Sequence, residues 1–219
     1  MMKKESGDKN FPIWLLGDSN PPQWEKELQV PLDSRHPIRH NIWTSVIDVV
    51  QDRVFRELGK RIETENIFIR NAVENVAHKP KANEVVWNPK VSQEVDDFGV
   101  DIQKYRPRII FSFGAFAFEF ARRSNHELPN NQFGHWGAKE LGNEFKQRMD
   151  VFDASKTNII PLLHRSISGG KYLESHNQFC FWQANPNYFQ IVGNRIADVL
   201  VLNQVDLGIW VERPIAKSS

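Results

Sequence analysis

Four short apolar runs, Pro12 to Gly17, Asn66 to Asn71, Arg108 to Gly114 and Asn158 to His164, are each separated by a long stretch with helical periodicity. Runs of this length without apolar–polar alternation are the pattern of strands buried on both faces, which occur in parallel sheets. Strands that alternate with helices imply βαβ units with right-handed crossovers. The expected fold class is therefore α/β, a three-layer α/β/α arrangement around a central four-stranded parallel sheet.

The helical patterns are specific. One starts at Asn41, a good N-cap, and carries Ile42, Val46, Val49, Val50, Val54 and Leu58 at helical spacing, with Gly59 near its end. A second runs from about Val91 to Tyr105 and stops before Pro107. A third, Pro186 to Asn203, has proline in its first turn and repeats Phe189, Val192, Ile196, Val199 and Leu200. The segment Phe111 to Phe120 alternates like a strand, but Gly114 and its neighbouring alanines favour a strand, a tight turn and then a close-packed helix. Pro80 to Pro89 and Ser124 to Gly134 read as loops.

The 219 residues suit one domain with a sizeable core. We expect a flexible tail over 1–10, a single α/β domain over 11–205 and a C-terminal extension over 206–219. With 28 basic and 27 acidic residues the net charge is +1, so no global basic field advertises a polyanionic partner. Cys180 is the sole cysteine, which excludes an internal disulfide and any four-cysteine metal or iron–sulfur site. No apolar run is long enough to span a membrane, and Met1 to Asn10 lacks the apolar core of a signal peptide. A cytoplasmic monomer without membrane attachment is expected.

In an open parallel sheet, ligands bind outside the carboxyl ends of the strands. Two of those ends carry chemistry. The run Ile159-Ile160-Pro161-Leu162-Leu163 stops at His164 and is followed by Arg165-Ser166-Ile167-Ser168-Gly169-Gly170. The run Pro12 to Leu16 leads into Gly17-Asp18-Ser19-Asn20-Pro21. With Asn71 and Gly114 at the other two ends, the set comprises an acid, amides that both donate and accept, and a histidine. Such a set can orient water or stabilise a developing cation, support a departing anion, and read the edge of a planar heterocycle. Singly, each of these residues is as readily a cap, a turn or a packed side chain.

The order of these ends resembles the uracil-DNA glycosylase superfamily. Leu16-Gly17-Asp18-Ser19-Asn20-Pro21 is similar to the family's first-strand motif with its spacing shifted, and Ile67 to Val73 resembles the strand that ends in a base-reading asparagine. Tyr105 to Ala117 is similar to the family's segment of proline, apolar strand, glycine and alanine. His164-Arg165-Ser166 stands where the family has His-Pro-Ser, with Arg165 in place of the proline. The resemblance spans roughly Pro12 to Asn203. It implies a uracil-DNA glycosylase-like fold and hydrolysis of the N-glycosidic bond of uracil or a related damaged base, flipped out of DNA. Asp18, Asn20 and His164 would be catalytic. Gly17, Trp24 and Asn71 would contact the base, with Asn75 a rival for the reading role. DNA would be held by Arg35, Arg39, Arg165, Ser166, Ile167 and Gly169, Ile167 being the candidate wedge between bases. Modest affinity through local contacts is expected, with no metal and no other cofactor.

The basic segment Ser34-Arg35-His36-Pro37-Ile38-Arg39-His40, just before the Asn41 helix, is equally a phosphate site or a solvated loop. Trp43, like Trp24, is a candidate for stacking on a base. Two further readings compete. Gly17-Asp18-Ser19 also resembles the first block of GDSL-type esterases, with Ser19 as nucleophile, although the Asp-x-x-His block of that family is missing here. The third is a glycosylase-like module that binds nucleic acid or nucleotides without cleaving them.

Overall fold

The computed structural model describes residues 5–20, 28–33, 35, 43–129, 132–164 and 171–211. Among them are five strands: β1 (Glu5–Ser6), β2 (Ile13–Asn20), β3 (Phe68–Asn75), β4 (Ile109–Phe113) and β5 (Asn158–Leu162). They form one sheet in the order β1-β3-β2-β4-β5. All four expected strands are present and mutually parallel, from Leu15 opposite Ile69 and Phe111 to Phe113 opposite Leu162. The sheet is nevertheless mixed and five-stranded, because β1 adds an antiparallel edge, Glu5 opposite Arg70 and Ser6 opposite Ile69. Residues expected to fray thus include a strand, and Phe11 behind it is 9 % exposed. At the other end, the expected extension begins within a short helix, and Trp210 bridges to Ile62.

The helices are α1 (Ser45–Leu58), α2 (Pro89–Tyr105), α3 (Gly114–Ser124), α4 (Ala138–Asp150), α5 (Lys171–Phe179), α6 (Tyr188–Leu202) and α7 (Gln204–Leu207). A π-helical turn at Trp43–Thr44 leads into α1, and Gly59 ends it in the left-handed region, its N–H on the Phe55 carbonyl at 2.8 Å. Asn88 caps α2 by accepting from Val91 N–H, with Pro89 in the first turn. Asn187 does the same for α6, so Pro186 lies just before the cap and outside the helix.

Chain order and sheet order together explain the layers. The chain steps from β2 to β3 in one direction, then passes back over β2 to β4 and on to β5. Right-handed crossovers put the first connection on one face and the next two on the other. The packing agrees: α1 pairs with α6, and α2 pairs with α3. Side-chain alternation divides the core accordingly. Trp14 packs tilted against Phe68 (ring centres 4.8 Å apart), Phe98 and Tyr105 on the α2 side, while Phe111 and Phe113 meet Trp43 on the α1 side. The reversal of direction falls between β2 and β4, which makes the crevice beyond their carboxyl ends the topological switch point.

One buried polar network stiffens the α3 face. Glu119, fully buried, takes Arg123 on one oxygen (3.0 Å) and Arg122 (2.9 Å) and the Trp136 indole (2.8 Å) on the other. Arg122 and Arg148 then share Glu127, and Arg148 also holds Glu144.

Candidate functional site at the strand ends

Asp18, Ser19 and Asn20 are the last three residues of β2, so the expected polar turn is still strand. The β2–β3 register shifts between Ser19 and Asn20: Ser19 pairs with Val73, and Asn20 with Asn75. Such a bulge re-aims the side chains beyond it. Asn20 is 5 % exposed, and its Oδ1 accepts a hydrogen bond from the Asn71 side-chain amide. The two residues named separately from the sequence therefore act as one pair. Gly17 is what lets Asn71 approach, since a Cβ there would collide with Asn71 Oδ1. The bond uses one Asn71 N–H and the Asn20 oxygen, leaving the pair the second Asn71 N–H, the two Asn20 N–H groups and the Asn71 oxygen. Asn75, the rival, spends its Oδ1 on the Ala77 N–H, capping the 3-10 turn Val76–His78.

Asp18 carries the sharpest feature of the site. Its Oδ2 accepts from the Lys79 ammonium, which also lies 5.3 Å from the Phe116 ring centre and 5.5 Å from that of Phe133. Its Oδ1 is buried and has no hydrogen-bond partner among the described residues. Burying a carboxylate oxygen unpartnered is costly, and such a group marks a held water or ion, a catalytic role or stored strain. Sequence reasoning missed Lys79. It follows the 3-10 turn and precedes Pro80, and only its closeness to the end of β3 marked it.

His164 stands two residues beyond β5 and is exposed. Its backbone is set by α6, whose first residue, Tyr188, accepts a hydrogen bond at its hydroxyl from Leu163 N–H at 2.9 Å. Tyr188 in turn stacks on the buried His176 with ring centres 4.7 Å apart. Gly114 follows β4 directly and opens α3 with φ of +84°, so strand passes to helix with no intervening turn. β4 separates the two reactive ends, so by strand spacing Asp18 and His164 lie about 10 Å apart across the sheet.

The structure commits other candidates elsewhere. Arg35 is tied to Asp33 through Nε (2.9 Å) and its terminal nitrogen (2.8 Å), which holds the Asp33 carboxyl well below the usual carboxylate range. Trp43 is core, 6 % exposed. Burial pushes the Cys180 thiol up to about 12, which leaves it unreactive. Trp24, Arg39, Arg165, Ser166, Ile167 and Gly169 lie outside the described residues, as does Asn41. Ser19, the alternative nucleophile, alternates with Asp18 along the strand and so faces away from it. Among the described residues, no group of three or more His, Cys, Asp or Glu is placed to hold a metal ion, and no helix is long and apolar enough to cross a membrane.

No family model matches the chain, and no curated protein is significantly similar to it.

Proposed function

We propose that the protein is a uracil-DNA glycosylase-like hydrolase that cleaves the N-glycosidic bond of uracil or a related damaged base in DNA. The observation that carries this reading is the buried Oδ1 of Asp18, without a hydrogen-bond partner among the described residues, near the carboxyl end of the same strand that carries Asn20 of the Asn20–Asn71 amide pair. An oxygen so placed is suited to hold a water, and the amide pair to meet a planar base edge.

Asp18 orients the water through Oδ1 and supports positive charge on the sugar as the C1′–N bond lengthens. Water oxygen bonds to C1′, and the bonding pair of the broken bond leaves with the base. His164, on the far side of β4, donates a hydrogen bond to the departing base as its negative charge grows. Asn71, held by Asn20, reads the base, and the proton lost by the attacking water passes to Asp18 and from there to solvent or the released base. No metal enters this chemistry, because the leaving group is a delocalised heterocyclic anion. DNA is the partner, held by local contacts of a nearly neutral, cytoplasmic monomer.

The test is an excision assay on uracil-, hypoxanthine- and xanthine-containing oligonucleotides, single- and double-stranded, with ester hydrolysis assayed in parallel. Base release supports the reading. Ester turnover abolished by Ser19→Ala, without base release, replaces it with the esterase.

A further inference from the structure

Two ion pairs in this protein have opposite designs. Glu119 is closed: both of its oxygens are engaged, and its partners are two arginines and an indole. That is the pattern of a structural network, in which each buried polar atom is satisfied. Asp18 is open: one oxygen is engaged by a lysine, and the other has no hydrogen-bond partner among the described residues. Arginine stays charged in any protein, whereas a lysine amine shielded from water by apolar surroundings can lose its proton and become a nucleophile.

Lys79 is placed for that use. Its side chain is 27 % exposed, so solvent reaches it, and that of Asp18 is 17 % exposed. Phe116 and Phe133 provide an apolar floor. A bound substrate that covers this floor removes water from around the amine, the setting in which lysine serves as a nucleophile.

We infer that Lys79 is an amine nucleophile that captures the aldehyde at C1′ of the deoxyribose left after base removal, adding strand-cleaving lyase activity to the site. The inference rests on the proposed function for the identity of the sugar. Asp18 takes a proton from the Lys79 ammonium, and Nζ bonds to C1′ of the ring-opened sugar. Asp18 returns its proton to the carbinolamine hydroxyl, which leaves as water to give a protonated imine and the restored carboxylate. Loss of a C2′ proton to Asp18 or solvent then expels the phosphate from C3′, breaking the C3′–O bond. Water hydrolyses the remaining imine and restores the amine. The water released on imine formation equals the water taken up in its hydrolysis, so no net water is consumed and no oxidant or reductant is involved.

The experiment bypasses base excision. The full chain is mixed with an oligonucleotide carrying a preformed abasic site, sodium borohydride is added to reduce any imine to a stable amine, and the adduct is located by peptide mass mapping. We expect a covalent adduct on Lys79, lost in Lys79→Arg, a variant that keeps the charge next to Asp18 and so keeps the fold. Asp18→Asn should weaken it by removing the proton acceptor. Absence of an adduct in the wild type, an adduct mapped to another amine, or a Lys79→Arg variant that still traps would each overturn the inference. Base release without trapping refutes the lyase and leaves the glycosylase reading standing. Trapping at Lys79 without release of any base refutes the glycosylase reading and leaves the aldehyde chemistry standing.

Discussion

A Cβ at position 114 would lie 2.6 Å from the Cβ of His164, and Gly114 itself has φ of +84°. The histidine at the end of β5 is thus seated against the first residue of α3, in space only a glycine leaves open. Gly114→Ala meets both a backbone strain, about 1–2 kcal/mol for an L-residue in the left-handed region, and a collision with His164. We predict a clear loss of stability in urea unfolding together with a displaced His164. An alanine variant as stable as the wild type, with the His164 ring signals unshifted by NMR, would contradict this.

Glu119→Ala leaves Arg122, Arg123 and the Trp136 indole without their shared carboxylate. Removing one partner of a buried ion network costs about 3–5 kcal/mol. The variant should unfold at markedly lower denaturant, and Trp136 fluorescence should shift. A change under about 1 kcal/mol, the value of a surface pair, would show that the network is solvated.

Glu127 gives stability a defined acid limb. Burial pushes its carboxyl up, but hydrogen bonds and charges from Arg148 and Arg122 outweigh this and hold it below its ordinary 4.5. A group depressed in the folded state stabilises above its unfolded value and loses that contribution as pH falls through the folded one. Thermal stability should therefore decline below about pH 4.5, and the decline should be shallower in Glu127→Gln. Equal pH dependence in the two proteins would rule out this origin.

The chain carries a net charge of +1, and Arg35 is already committed to Asp33. Affinity for DNA should fall with salt along a shallow slope, reflecting a few phosphate contacts, and Arg35→Gln should change it little. A steep slope, or one reduced by the Arg35 substitution, would require a basic interface that includes Arg35.

Much of this was legible before the structure. The parallel strands announced themselves as apolar runs such as Ile109–Phe113, because burial on both faces needs apolar residues, but the caps Asn88 and Asn187 were not picked out and Pro186 was placed inside the helix that Asn187 caps. The edge strand Glu5–Ser6 was not legible: two residues paired through backbone alone leave no side-chain pattern. The helices α4 and α5 were not singled out either, and mean polarity hides the periodicity of Leu141, Phe145 and Met149. At the site, residue types at strand ends pointed to Asp18, Asn71 and His164. Long-range pairing was invisible, since Lys79 meets Asp18 across 61 positions and Asn71 meets Asn20 across 51.

The central claim is that Asp18 and His164 do chemistry on a bound nucleotide. The most direct measurement is single-turnover excision alongside DNA binding for wild type, Asp18→Asn and His164→Ala. Loss of a preorganised catalytic group costs on the order of a hundredfold or more in rate. Both variants should show that loss in excision with binding nearly unchanged. Full excision in both variants, or rate and affinity falling together, would place the chemistry elsewhere.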